Sequence, residues 1–423
     1  MTRYRTPRGA RDRLPEEQHL WDYVTGAFER ACRLYGFARI QTPTFESADM
    51  FIRAVGEETD IGSKELYTLD DRGGEHLALR PEGTAPVVRA YNEHGMKVRS
   101  QPVRLYYLQP HFRYDRPQAG RYREHNQMGA EVLGEADASV DVEAISLIWE
   151  VLIGLGLTGL ELEINSIGDP VCRPNYRRAL VDYYQDRLDE LCQDCNRRFT
   201  SNPLRLLDCK KDRCLQIAGK APRSIDFLCG DCSDHLAVLR KGLDALEIDY
   251  AVNPRLVRGL DYYTRTVFEI LPAGGGSQGS LAGGGRYDLL SEYIGGDPLP
   301  GMGFGSGIER VILNLQEQNL DGAPAMRPDA FVGPLSSAAK PVAVALSSQL
   351  RSVGLATISG YRDASARSHL RRANSAGSRV AVLIGDRDLS NGSVSVRDMD
   401  KKTQTEVKPV SYTHLTLPTK RIV

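Results

Sequence analysis

Residues 256–270 read LVRGLDYYTRTVFEI, and a glycine tract, LAGGGRYDLL, follows at 281–290. Arg258, Gly259, Asp261, Tyr262 and Tyr263 put a guanidinium, a flexible backbone point, a carboxylate and two phenols within six residues. That is too much polar chemistry for a plain core strand. Residues 264–270 have the β-branched and aromatic content of a strand, so the polar cluster belongs in the turn that feeds it. A second strand is expected to end at Ala282, Gly283, Gly284 and Gly285, where missing Cβ atoms let a ligand lie against the backbone. A fold that accommodates both runs makes them neighbouring walls of one polar pocket.

At 423 residues the chain is too long for one ordinary core, and two or three domains are expected. An apolar fraction of 41% and a charged fraction of 26% are those of a soluble globular protein. The net charge of -1 argues against a wholesale nucleic-acid coat. Locally the balance differs, with five arginines in 3–13, six in 99–123 and five in 362–379. Any one such patch is ordinarily a solvated face. The best apolar run, 144–157, is interrupted by Glu150, and no hydrophobic region follows the arginines of MTRYRTPRGARDRL at the N-terminus. The expectation is a cytoplasmic protein with neither signal peptide nor membrane span.

Six of the eight cysteines fall between 192 and 232, and in the cytoplasm they should be reduced thiols. Cys192-x2-Cys195 and Cys229-x2-Cys232 have the double-pair layout of a zinc ribbon, with Cys209 and Cys214 between them. Four thiolates from the two pairs would close a structural Zn2+ site; the competing reading is thiols packed in a small core. A closed site offers no open coordination position, so neither reading makes the region catalytic.

Along the chain, apolar residues recur at helical spacing over 18–34, and Gly36 is placed to stop that helix. Residues 38–45, ARIQTPTF, read as a strand broken by Pro43, which marks an edge or bulge and a candidate subunit boundary. A hairpin over 65–84 runs into Arg80-Pro81-Glu82-Gly83-Thr84. There Glu82 and Thr84 alternate toward one side, and a buried Glu82 carboxylate would receive a cationic group. The bland alternative makes Thr84 an N-cap. Two strands, 103–112 and 126–133, flank a connector rich in arginine, whose planar fork suits bidentate contact with phosphate. Gln127, Gly129 and Glu131 alternate on one face of the return strand. A helix over 137–155 and a strand over 160–166 precede an apparent insertion at 170–240. At 300–315, PGMGFGSGIERVILNL, glycines permit close strand packing and a helix begins at Ser306, with Arg310 in its first turn placed to contact a phosphate. Linker composition at 319–328 separates a small α/β domain of alternating strands and helices. The last residues, 411–423, continue no earlier pattern and read as a non-native tail.

In this order the blocks resemble the histidyl-tRNA synthetase family of class II aminoacyl-tRNA synthetases, over nearly the whole chain to about residue 410. The segment around Pro43 resembles motif 1, Phe112-Arg113-Tyr114-Asp115 motif 2, and Gly305-Ser306-Gly307-Ile308-Glu309-Arg310 motif 3. Arg258-Gly259-Leu260-Asp261-Tyr262-Tyr263 is similar to the signature that separates the histidine enzymes from other class II members. The resemblance implies an α+β catalytic domain over 1–320, an antiparallel sheet flanked by helices. It also implies an α/β anticodon-binding domain over 328–410.

By position, the resemblance makes Arg113 and Arg310 ligands of the ATP phosphates and Arg258 a cation beside the reacting carboxylate and α-phosphate. Asp115, Arg121 and His125 complete the ATP site. Glu82, Thr84 and Gln127 would hold the amino end of L-histidine, and Glu131 and Tyr263 the imidazole, with Tyr262 nearby. Arg116 and Gln118 would face the acceptor end of tRNA(His). Mg2+ accompanies ATP, and the family forms homodimers. Two departures stand out: Asp115 where the family usually has Glu, and His125 where an aromatic, typically Phe, stacks on adenine. The alternative reading is the synthetase-like regulatory subunit of ATP phosphoribosyltransferase, which generally lacks the anticodon domain and the full set of arginines.

Overall fold

The computed structural model describes residues 4–408 except 57, 58, 60, 119, 273, 275–278, 321 and 323–326. Pro15 opens α1 (Pro15–Leu34), whose helical periodicity buries Leu20, Trp21, Val24 and Phe28. Just past its end Gly36 takes φ +75°, a left-handed conformation that costs glycine little. The strand expected over 38–45 is two short strands in different sheets, β1 (Ala38–Arg39) and β2 (Phe45–Ser47). Arg80, buried, holds the break open: its Nη1 donates to the carbonyls of Thr42 and Pro43 at 2.7 and 2.8 Å.

After α2 (Ala48–Val55), the hairpin of β3 (Tyr67–Asp70) and β4 (His76–Leu79) joins β2 in a three-stranded sheet. Next come α3 (Thr84–Glu93), the long hairpin of β5 (Val103–Phe112) and β6 (Glu124–Leu133), α4 (Ser139–Gly154) and β7 (Glu161–Ser166). The insertion contributes α5 (Arg173–Tyr184), α6 (Gln193–Ser201) and α7 (Asp212–Ala218), and α8 (Gly230–Ala245) leads back to the sheet. The sheet is completed by β8 (Tyr250–Val252), β9 (Thr264–Leu271), β10 (Ala282–Arg286) and β11 (Gly301–Gly307). The short α9 (Leu290–Tyr293) precedes β11, and α10 (Ile308–Glu317) follows it.

Eight strands pair in the order β1-β5-β6-β11-β10-β9-β7-β8. Every pair inside the sheet is antiparallel; only β1 with β5 and β7 with β8 run parallel, at its two ends. The period-two alternation of side chains gives this sheet two unlike faces. One carries Tyr106, Met128, Ala130, Phe304, Phe268 and Ile164 into a core with residues of α1, α4, α8 and α10. The other carries glycines and polar groups. The glycine tract begins β10 instead of ending a strand, because the pairing with β9 and β11 continues to Arg286. Buried Arg286 is fixed there by Asp141 of α4, Nε to Oδ1 at 2.8 Å. Likewise the helix expected from Ser306 starts at Ile308, since Ser306 belongs to β11 and donates to the Leu281 carbonyl at 2.8 Å.

The chain divides into two compact units, Met1–Ala323 and Pro324–Val423. In the second, β12 (Ala330–Pro334), α11 (Lys340–Ser352), β13 (Thr357–Ser359), α12 (Ala366–Ser375), β14 (Val380–Ile384) and α13 (Asp386–Asn391) give the expected alternation. Then β15 (Val394–Asp398) and β16 (Gln404–Val407) extend the sheet antiparallel, in the order β13-β12-β14-β15-β16. The proposed tail, 411–423, lies outside the described residues. Among the described residues no helix is long and apolar enough to cross a membrane.

Candidate active site

On the polar face of the eight-stranded sheet, β6 presents His125, Gln127, Gly129 and Glu131 in alternation. Cross-strand register sets Gly307, Gly305 and Gly303 of β11 beside the last three of these. Beyond them come Gly283 of β10 and Glu269 of β9. Absence of side chains here makes room for long polar ones. A Cβ at Gly303 would lie 1.7 Å from Glu131 Oε2, and one at Gly283 would lie 2.5 Å from a terminal nitrogen of Arg258.

Glu131 is fully buried, and three hydroxyls converge on it: Thr84 Oγ1 donates at 2.8 Å, Tyr107 OH at 3.2 Å and Tyr287 OH at 2.5 Å. Burial pushes its carboxyl up to about 8, the hydroxyl donors offsetting only part of the desolvation. Glu82 is also buried, and its carboxylate accepts the backbone N–H groups of Thr84 and Ala85 at 2.7 and 3.0 Å. Gly83 holds the N-cap position of α3 and Thr84 is its first helical residue, so the side chain that caps the helix is that of Glu82, and a carboxylate at a helix N-terminus is favoured by the exposed N–H groups. Burial still raises the Glu82 carboxyl above its ordinary range. Tyr262 OH points at Glu82 Oε2 from 3.5 Å, and its ring meets that of Tyr263 at a centroid distance of 4.7 Å.

Three guanidinium groups face the same space. Arg113 Nε donates to the Pro81 carbonyl at 2.8 Å, which sets it beside Glu82. Arg258 is paired with Glu269 and stands 6.0 Å from the centroid of the Tyr263 ring. Arg310 leaves α10 to donate to the carbonyls of Gly120 and Ser280, at 3.2 and 2.9 Å. All three line one cavity of about 170 Å³, with Asp115, Arg121, His125 and Gln127 also on its wall. Burial, with Arg113 and Arg310 nearby, pulls His125 down to about 3, so its imidazole is neutral at physiological pH. Asp115 binds Arg121 at 2.5 Å and accepts the Arg116 backbone N–H at 2.6 Å, bracing the connector between β5 and β6. Arg116 and Gln118 are exposed on that connector and are not on the cavity wall. Asp261 has a different task from its neighbours: it accepts from Asn202 Nδ2 at 2.7 Å and so fastens the 258–263 turn to the insertion.

Of the sequence-predicted residues, Arg113, Asp115, Arg121, His125, Gln127, Arg258 and Arg310 line one cavity, Glu82, Thr84, Glu131 and Tyr262 form a buried cluster with the ring of Tyr263 against Tyr262, and Arg116 and Gln118 belong to neither. Tyr107, Tyr287 and Glu269 belong to the same constellation and were not singled out from sequence. Their signal was register: Tyr107 faces Gly129 across the β5–β6 hairpin, and Glu269 faces Gly283.

The expected four-cysteine zinc set does not assemble. Cys192 and Cys195 stand with Cys209 and Cys214, whereas Cys229 and Cys232 stand with Cys172 and Asp169. Cys192 and Cys229 precede different helices, α6 and α8, and the chain between them folds its own two cysteines back onto the first pair.

The family model for histidyl-tRNA synthetase matches residues 9–311, and that for an anticodon binding domain matches residues 329–412. A histidine–tRNA ligase of Dehalococcoides mccartyi is 51% identical over 404 residues, 96% of this chain and 97% of that protein. One from Caldanaerobacter subterraneus subsp. tengcongensis is 45% identical over 403 residues, 95% of this chain and 97% of its own length. The crystal structure of apo histidyl-tRNA synthetase from S. aureus is similar with a TM-score of 0.83 at 34% identity, covering 97% of this chain and 99% of that one.

Proposed function

The chain belongs to the histidyl-tRNA synthetase family, and from that membership we propose how its residues divide the work of joining L-histidine to tRNA(His) at the expense of ATP. Glu82, Thr84 and Gln127 hold the amino end of histidine. Glu131 and Tyr263 take the two ring nitrogens, with Tyr262 packed alongside. A ligand lacking an imidazole leaves unmet the Tyr263 hydroxyl and the acceptor capacity that Glu131 keeps beyond its three hydroxyl donors, and that penalty is the source of selectivity. Arg113 and Arg310 bind the phosphates of ATP, which enters as its magnesium complex, while Asp115 and Arg121 shape the nucleotide end. Neutral His125 stacks on the adenine.

Histidine's carboxylate oxygen attacks the α-phosphorus, forming the mixed anhydride as the bond to pyrophosphate breaks. A terminal hydroxyl of the tRNA then attacks the carbonyl carbon, and AMP leaves. No side chain need act as nucleophile; positioning and the positive charge of Arg258 beside the pentacoordinate transition state carry the first step. Arg116 and Gln118 face the acceptor end, and the second unit reads the anticodon. The protein acts in the cytoplasm as a homodimer whose contact includes 38–47, where Phe45 is 55% exposed.

The observation that carries this reading is the convergence of Arg113, Arg258 and Arg310 on one cavity lined also by Gln127. Relatives named as ligases match the chain over nearly its full length, the second unit included, which disfavours the regulatory-subunit alternative. Arg258→Ala should lower histidine-dependent ATP–pyrophosphate exchange by about 10²- to 10³-fold while histidine still binds measurably. An unimpaired exchange rate in that variant would remove Arg258 from the reaction.

A further inference from the structure

Two groups of four ligating side chains lie outside the cavity, in and beside the insertion. In one, the thiols of Cys192, Cys195, Cys209 and Cys214 lie within 4.8 Å of one another; in the other, Asp169, Cys172, Cys229 and Cys232 do the same. A tetrahedral ion with metal–sulfur bonds of about 2.3 Å needs sulfur–sulfur edges of about 3.8 Å. The Cys192–Cys209 separation is 3.9 Å and that of Cys172–Cys232 is 3.8 Å. A disulfide would need about 2.05 Å. The Asp169 carboxylate, only 13% exposed, sits among the three sulfurs: its Oδ1 accepts the Val171 and Cys172 N–H groups at 3.0 and 3.2 Å and lies 3.5 Å from Cys172 Sγ and 4.0 Å from Cys229 Sγ.

The surrounding backbone is shaped for ligation. Asp169-x2-Cys172, Cys192-x2-Cys195 and Cys229-x2-Cys232 repeat one short spacing. The Cys192 N–H points at Cys214 Sγ and the Asp169 N–H at Cys172 Sγ, both at 3.4 Å, donors of the kind that stabilise thiolate ligands. Gly168 turns the chain at φ +71°, and a Cβ there would come within 2.6 Å of Cys172 Sγ.

We propose that the chain holds two structural zinc ions, one bound by Cys192, Cys195, Cys209 and Cys214 and the other by Asp169, Cys172, Cys229 and Cys232. Both coordination spheres are closed by protein, so neither ion does chemistry on a substrate. The first staples the insertion internally. The second joins the insertion's two roots, the segment after β7 and the start of α8. Its surplus negative charge is partly met by Arg265, 3.5 Å from Asp169. From there the link reaches the active-site turn: the Arg265 N–H donates to the Gly168 carbonyl at 2.8 Å, and Arg173 Nη2 donates to the Tyr263 carbonyl at 2.7 Å.

Elemental analysis of the full chain, purified without a metal-affinity step, should find two zinc ions per chain. Cys209→Ser and Cys232→Ser should each lose one of them. Cobalt(II) exchanged into the wild-type chain should give the intense visible bands of a tetrahedral thiolate site at two equivalents. A wild-type content of one ion or none, iron in place of zinc, or cobalt bands that saturate at one equivalent would overturn the proposal. The wild-type count and the cobalt titration stand even where a cysteine variant fails to fold, and neither depends on aminoacylation.

Discussion

Glu131 is the residue on which the proposed histidine pocket turns. In the unfolded chain its carboxyl titrates near 4.5, and in the folded protein burial holds it at about 8. Between those values the folded state keeps a proton that the unfolded state has released, so its share of stability is lost as pH rises through the window. Glu131→Gln removes that dependence. Urea unfolding at pH 5 and pH 8.5 should show the variant gaining on the wild type at the higher pH, by an amount on the order of a few kcal/mol. A difference that does not change with pH would mean that Glu131 is already ionised in the folded protein. The period-two pattern of β6 made Gln127 and Glu131 legible in the sequence, as the RGLDYY run did for Arg258 and the two tyrosines. Tyr107 and Tyr287 were not, because a phenol in a strand reads equally well as core, and only cross-strand register reveals the carboxylate it serves. Glu82 was legible as a buried acid, but its capping of α3 was not; a carboxylate two residues before a helix gives no sign of where its oxygens point.

At the scale of elements, the polar face works because β10 and β11 present glycines to it, Gly283 and Gly285 from one and Gly303, Gly305 and Gly307 from the other. Gly303→Ala would drive a Cβ into Glu131 and to 2.7 Å from the Ala130 carbonyl, where backbone cannot yield cheaply. A loss of about 1–3 kcal/mol in unfolding free energy is expected, together with a raised KM for histidine. Unchanged stability and KM would show that Glu131 is not held against β11. The β5–β6 hairpin, α1 and the strands and helices of the alternating α/β segment were visible from periodicity and turn residues, since each is long or cleanly punctuated. What misled was glycine and proline, which are read locally as ends. The glycine tract proved to be a paired strand, and the segment around Pro43 split between two sheets, because neighbouring strands and buried Arg80 decided those positions from a distance. Cysteine spacing likewise marked the clustered thiols without revealing which of them meet, since that depends on how the insertion folds.

Taken whole, the molecule separates its two tasks. The first unit contains the arginines, the acidic pocket and its own apolar cores, and the second has a separate core built on β12, β14 and β15. A chain ending at residue 323 should therefore keep histidine-dependent pyrophosphate exchange and lose most tRNA charging; equal loss of both would show that the second unit is needed for activation itself. The central claim is that one cavity selects an imidazole and brings it to ATP. ATP–pyrophosphate exchange, measured with each amino acid supplied singly to the full chain, tests this most directly. Exchange above background with histidine alone is the predicted result, and exchange supported equally by any other amino acid would contradict the account.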